Sequence, residues 1–499
     1  MTSRARLRLV LVLLAVSAPG LTCSEKFRLG PLDLAAGTLD DITAALATNE
    51  VTSVQLVDAY LDRIAACDDE LHAIISTNRA AKREARALDA ERAAGKLRGP
   101  LHGVPVIIKD NIDLAGAVTT AGSFALSGNR RAQSAEVVER LAAAGMVVMA
   151  KANLTEWANF RSRFSSSGWS AVGGLVVNPR DPLRSACGSS AGSAVAVVSH
   201  LAPLAVGTET NGSIVCPSSV TGLVGFKPTV GLVSQQGIVP ISHTQDTAGP
   251  MAARVGEVAA LLGAMVESPQ DFRAALKPDS LRGARLGVAR FIKGFAPGTE
   301  RTFDAALAIL KANGAELVEI DEFDFADLRD NELTILSTEF KAGINAYLST
   351  TPPLVKTRTL EQLIAFNRAE PRELEWFGQD LFEQSNAGGG LEDARYTQAL
   401  RKALDLARAQ GIDRLLAEHE VTALVAPTNG PAWSIDLVNG DRGVGAASLL
   451  PAVAGYPHLT VPMGQVAGLP VGLSFIGTAG SDATLLSLGF SFEQARDRT

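Results

Sequence analysis

Histidine is scarce in this chain. Six occur in 499 residues (His72, His102, His200, His243, His419 and His458), and no two are spaced to share one face of a helix, which argues against a histidine metal site. The four cysteines (Cys23, Cys67, Cys187 and Cys216) fit no zinc pattern. Cys187 and Cys216 flank the segment that carries the candidate chemistry, so a bridge is conceivable, although buried free thiols are the plainer expectation. A basic stripe is also missing. The formal net charge is -7, with 46 basic and 53 acidic residues mixed along the chain, so nothing grips a run of phosphates and nucleic acid is not expected as a partner. Internal repeats and low-complexity linkers are absent.

No apolar run reaches the roughly 20 residues needed to span a bilayer. Arg4, Arg6 and Arg8 precede a short apolar stretch, Leu9 to Val16, which is followed by Ser17, Ala18, Pro19 and Gly20. This order reads as a secretory signal peptide over residues 1–23. Export to a periplasmic or extracellular location follows, with no stable membrane insertion after cleavage and lipid anchoring at Cys23 as a lesser alternative.

What is present is the composition of a compact enzyme: 46% hydrophobic residues, 20% charged, and 46 glycines. Thr38 and Ser53 look like caps opening two helices, the second carrying Leu56, Val57, Tyr60, Leu61 and Ile64 at helical spacing. After Gly99-Pro100, Val104 to Ile108 forms a β-branched run ending in Lys109 and Asp110, a buried strand with a charged end. A helix from Ser134 to Gly145 and a second apolar run, Met146 to Ala150, complete a strand–helix–strand unit and imply a parallel pair. Residues 153 to 192 are rich in Ser, Gly, Asn and Arg without a period, and a loop this long is usually functional. A buried helix opening at Ala194 and a strand at Leu204 to Gly207 follow, with Val220 to Phe226 packing near that strand. Beyond Pro250, helices alternate with strands at Leu286 to Ala289, Leu317 to Ile320 and Val421 to Ala426, interrupted by charged helices at about 326–420. One α/β domain over 30–495 with a helical insertion accounts for this pattern.

Gly188-Ser189-Ser190-Ala191-Gly192 satisfies the G-x-S-x-G pattern with Ser190 at its centre, but that motif needs a strand just before it. Here Asn178-Pro179-Arg180-Asp181-Pro182 precedes it, and two prolines among polar residues make no central strand. The Ser/Gly-rich segment is better paired with Thr208-Glu209-Thr210-Asn211-Gly212-Ser213, where Gly212 permits a turn that aims successive N–H groups at one point. A serine there still needs a base. A lysine can serve if burial keeps it neutral, and Lys109 ends an apolar strand where such burial is plausible.

Together these segments resemble the amidase signature family. The resemblance rests on Cys187-Gly188-Ser189-Ser190-Ala191-Gly192-Ser193, Gly207 to Ile214, and Gly222-Leu223-Val224-Gly225-Phe226-Lys227-Pro228-Thr229. It extends to His102-Gly103-Val104-Pro105, Lys109-Asp110-Asn111, Gln245 to Met251 and the tail from Gly455 to Gly472. It implies an α/β fold with a large mixed, twisted central sheet covered by helices on both faces. It also implies Lys109 as base, Ser189 as proton relay in a cis peptide bond, and Ser213 as the acylated nucleophile. Thr210, Asn211 and Gly212 would supply the oxyanion N–H groups, and Ser170 would contact substrate. No metal or organic cofactor is implied. Cys187, Ala191 and Asn211 depart from the glycines, or the acidic residue, usual at their places. The run Asn153 to Phe160 and Ser167-Gly168-Trp169-Ser170 resembles the secreted peptide amidase branch, which implies a small-molecule or peptide amide as substrate. Trp157 and Trp169 could equally pack the loop.

Two other readings compete. The glutaminase component of glutamyl-tRNA amidotransferase shares the core but works in the cytoplasm with partner proteins and tRNA, against which the export segment and acidic balance weigh. An exported solute-binding protein would be long, secreted and α/β, yet gives no reason for Lys109, Ser189 and Ser213 together.

Overall fold

The computed structural model describes residues 27–268, 270–443 and 445–498. The expected signal segment 1–23, with Cys23, lies outside them. The strands of the central sheet are Ile74–Thr77 (β1), Pro105–Lys109 (β2), Val147–Ala152 (β3), Ala205–Glu209 (β4), Val224–Lys227 (β5), Thr247–Ala252 (β6), Arg285–Ala289 (β7), Glu316–Ile320 (β8), Ala423–Pro427 (β9), His458–Val466 (β10) and Leu469–Ile476 (β11). These eleven lie in the order β8-β7-β9-β11-β10-β5-β6-β4-β2-β3-β1.

Strand β2 runs parallel to both β3 and β4, with Ile107 opposite Ala205 and Ile108 opposite Val206. The helix Glu136–Ala143 crosses from β2 to β3, as the sequence pattern implies. Antiparallel pairs β4–β6, β6–β5 and β5–β10 link this half to the hairpin β10–β11, and the parallel trio β9, β7 and β8 closes the other edge. The sheet is therefore mixed, and helices flank it. Strands β2 and β3 are buried at every residue, which explains their continuous apolar runs in place of alternation. Among the described residues no helix is long and apolar enough to cross a membrane.

One local expectation is corrected. The second helix is capped by Thr52, whose hydroxyl accepts from Gln55 N–H; Ser53 is its first residue. Val220 belongs to the helix Val215–Thr221, and β5 begins only at Val224, because Gly222 in a left-handed conformation ends the helix between them. The inserted helices, charged as they are, also bury an apolar face: Leu336, Phe340, Ile344, Leu363 and Phe382 form a seam with Leu126, Trp157 and Phe160. Burial of such side chains contributes roughly 1.5–3 kcal/mol each. Both Trp157 and Trp169 are buried, so they pack the loop.

That seam is reinforced by charge. Arg161 is buried between Glu156 and Glu373, and its guanidinium lies over the rings of Phe377 (4.2 Å) and Trp169 (5.5 Å). A buried arginine is tolerated only with such partners. The long 153–192 loop is in this way fastened to the segment 373–380.

Candidate active site

The parallel neighbours β2 and β4 deliver their C-terminal ends side by side. Lys109 is the last residue of β2 and is fully buried. Its Nζ donates to Ser189 Oγ at 2.7 Å, Thr208 Oγ1 at 2.9 Å and Thr208 O at 3.2 Å. Burial strips water from the ammonium and lowers its pKa from 10.5 to about 7, although the charges of Asp246 and Glu209 pull the other way. A lysine so placed is neutral in a large fraction of molecules near neutral pH.

The peptide bond Gly188–Ser189 is cis. Ser189 is wholly buried, and its carbonyl accepts from Thr155 N–H at 3.0 Å. A side chain at Gly188 would meet Thr155 Oγ1 at 2.1 Å, so only glycine allows this close approach. Ser190, at the centre of the G-x-S-x-G match, has its hydroxyl committed: it donates to Thr208 O at 3.1 Å and accepts from Thr208 N–H at 3.2 Å.

Ser190 N–H donates to Ser213 O at 3.1 Å, which ties the two serine-bearing loops together. The Ser213 hydroxyl makes no hydrogen bond to another described residue, and the residue retains 8% exposure. Among the described residues, the N–H groups of Thr210, Asn211 and Gly212 also have no acceptor, and neither has that of Ser213. Glu209 explains how they stay available. Its carboxylate accepts from Ile214 N–H (2.7 Å) and Val215 N–H (3.0 Å), anchoring the next turn so that 210–213 arches over it. Gly212, at φ +82°, supplies the turn. A run of N–H groups without acceptors beside a hydroxyl is what a developing oxyanion requires.

Of the residues singled out in the sequence, Lys109, Ser189, Ser213, Asn211 and Gly212 are brought together with Thr210. Ser170 is not. It is fully buried, donating to Asn153 Oδ1 at 2.7 Å and accepting from Gly173 N–H at 2.9 Å, and so braces the loop. Sequence reading missed four residues around the site. Thr208 holds the lysine. Asp246, whose burial pushes its pKa up to about 6, accepts from Thr210 Oγ1 at 2.5 Å. Glu332 and Ser448 bind the Asn211 side chain. Thr208 in the Gly207 to Ile214 block and Asp246 in the Gln245 to Met251 block did offer a signal. Glu332 and Ser448 arrive from elements whose local pattern says nothing of the site.

Cys187 and Cys216 form a disulfide, and no described cysteine is free, which corrects the expectation of free thiols. They are 29 residues apart in sequence, and only the packing of the two serine loops brings their Cα atoms to 6.1 Å. Cys187 stands at φ +56°, a conformation that costs an L residue roughly 1–2 kcal/mol. Closing a loop of this length contributes roughly 3–4 kcal/mol. Reduction under native conditions is expected to lower the thermal midpoint and to cut kcat several-fold, with release of the Cys187 and Cys216 thiols checked by alkylation and peptide mass. An unchanged kcat after full reduction would show that the bridge does not hold the two loops in register.

A buried amine, two serines and a row of available N–H groups thus meet at one end of the mixed sheet, and no histidine stands among them. The profile of the Amidase family matches residues 55–486, and the chain belongs to that family. It is 37% identical to a "Probable amidase" of Arabidopsis thaliana, with 92% of this chain and 90% of that protein aligned. It superposes on the peptide amidase of Stenotrophomonas maltophilia with TM-score 0.88 at 44% identity, over 93% of this chain and 97% of that one. The A component of the glutamyl-tRNA(Gln) amidotransferase of Halorhodospira halophila is 34% identical over 92% of this chain and 97% of its own. The chain is thus an amidase, and the solute-binding alternative is set aside.

Proposed function

We propose that this amidase cleaves the C-terminal carboxamide of peptides or related linear amides, releasing ammonia through an acyl-enzyme on Ser213, and that it acts after export. The observation that carries the reading is the 2.7 Å contact between a fully buried Lys109 amine and Ser189 Oγ. As Ser213 Oγ attacks the amide carbon, its proton passes to Ser189 while that of Ser189 passes to neutral Lys109. The carbonyl oxygen gains charge against the N–H groups at 211–213. The relay then reverses: the proton returns through Ser189 to the amide nitrogen, the C–N bond breaks, and ammonia leaves. Water, deprotonated by the same path, attacks the acyl carbon and frees the acid.

Likeness to a peptide amidase supports the peptide substrate, and the disulfide between Cys187 and Cys216 suits an oxidising compartment. The relationship to an amidotransferase component favours a second reading, hydrolysis of glutamine's side-chain amide. Ammonia release by the purified single chain separates them. The expected result is turnover of blocked dipeptide amides with glutamine hydrolysed at least about 100-fold more slowly in kcat/KM, a gap of about 2.7 kcal/mol. The reverse preference would overturn the peptide reading.

A further inference from the structure

The Asn211 side chain is held at both its nitrogen and its oxygen, at the turn that bears the available N–H groups. Its Nδ2 donates to Glu332 Oε1 at 2.7 Å, and its Oδ1 accepts from Ser448 Oγ at 2.6 Å. Gln245 Nε2 joins the same Glu332 oxygen at 3.1 Å and reaches Thr210 O at 3.4 Å. Glu332 lies on the helix Leu328–Ser349, within the inserted region, and is only 7% exposed. Ser448 comes from the segment that opens the helix Leu449–Ala454, and a side chain at Gly212 would stand 3.1 Å from its hydroxyl. Two elements remote in sequence therefore close on one amide from opposite ends.

Such an arrangement is costly without a purpose. A buried carboxylate loses hydration, and burial raises the Glu332 pKa. In return the amide is fixed in one rotamer, and with it the peptide planes at 210–212. An N–H group stabilises an oxyanion only if it is aimed before the charge forms, and small displacements forfeit most of the benefit.

We propose that Glu332 is a positioning residue which, with Ser448, clamps Asn211 and so holds the N–H groups of 211–213 in line for the oxyanion, making the inserted helix part of the catalytic apparatus without touching substrate. The inference rests on the acyl-enzyme reading of Ser213 above. It also explains the amide at 211. A carboxylate there would face Glu332 across 2.7 Å, whereas an amide offers a donor to Glu332 and an acceptor to Ser448.

The test is a donor–acceptor exchange. Glu332→Ala is expected to lower kcat about 10–100-fold with KM within about threefold, because it disturbs groups used in the transition state and not those that bind the ground state. Ser448→Ala should lower kcat in the same sense, by less. Glu332→Gln keeps an acceptor and should stay within about threefold of wild type. Asn211→Asp alone sets two carboxylates in contact and should behave like Glu332→Ala. Adding Glu332→Gln to Asn211→Asp restores a donor, and the double variant should recover about tenfold in kcat over Asn211→Asp, a coupling that a merely structural glutamate would not give. The ascending limb of the pH–rate profile, set by Lys109, should not move in any of them.

A fluorophosphonate that labels Ser213 supplies the second readout. Slower labelling of Glu332→Ala, with the circular dichroism of wild type, supports the clamp. Wild-type labelling rate and kcat in Glu332→Ala, or a defect confined to KM, or no recovery in the double variant, overturns it while leaving Ser213 as nucleophile. A wild-type enzyme that hydrolyses amides yet is never labelled or acylated at Ser213 overturns the acyl-enzyme reading and the clamp with it.

Discussion

Replacing Ser213 by alanine is expected to lower kcat for a peptide amide by at least about 10⁴-fold, with the fold and the disulfide unchanged. Removing the nucleophile of a serine hydrolase typically costs several orders of magnitude, because what remains is only binding and oxyanion stabilisation. The 8% exposure of Ser213 leaves its hydroxyl reachable from solvent, and it has no competing partner among the described residues. Intact-mass measurement after fluorophosphonate treatment should show one adduct on wild type and none on Ser213→Ala. Ser190→Ala provides the contrast: its hydroxyl is bound to Thr208 on both sides, so the adduct should persist. A Ser213→Ala enzyme with wild-type turnover would remove Ser213 from the mechanism.

The second large effect concerns Lys109, and it has a kinetic and a thermodynamic face. As a base it must be neutral, so kcat/KM for the free enzyme should climb roughly tenfold per pH unit below about 7 and level off above it. Lys109→Met should lose at least about 10³-fold in kcat and with it that ascending limb. For stability the sign is fixed by linkage. The unfolded lysine titrates near 10.5 and the folded one near 7, so between these values the unfolded chain holds more protons and stability rises with pH. Burial of this amine therefore destabilises the native state most below pH 7 and not at all above 10.5. Lys109→Met escapes that dependence. The difference in unfolding free energy, variant minus wild type, should shrink as pH rises from about 7 to about 10, as measured by urea denaturation at both values. A difference that is flat or grows would mean that Lys109 is charged in the folded enzyme.

How much of this is legible in the sequence follows from what each feature depends on. Lys109 can be read because an unbroken β-branched run announces a strand buried on both faces, and a charge at its end must then be accommodated. Ser189 and Ser213 can be read from ordered blocks with glycines at close approaches. Ser170 sits in a neighbourhood that resembles a substrate-contact segment, and what the sequence does not show is that its hydroxyl closes a tight turn against Asn153 and Gly173. Trp157 and Trp169 leave two uses open, and packing is decided only by their neighbours in the inserted region: the helices around Phe340 and Phe382 for Trp157, and Phe377 for Trp169. The bridge between Cys187 and Cys216, like Glu332 and Ser448, depends on contacts between segments distant in sequence. No periodicity or spacing encodes those; they follow from which loops the sheet order sets side by side.

The pairing of β2 with β4 reaches beyond architecture. Ile107 faces Ala205 and Ile108 faces Val206, and Lys109 and the loop that bears Ser213 hang from the ends of these two ribbons. Sliding one past the other by a single residue would turn the amine to the opposite side of the sheet. Turnover is therefore a gauge of correct strand alignment: molecules that fold with these two out of step would be compact but inert, and activity per folded molecule would count those that aligned.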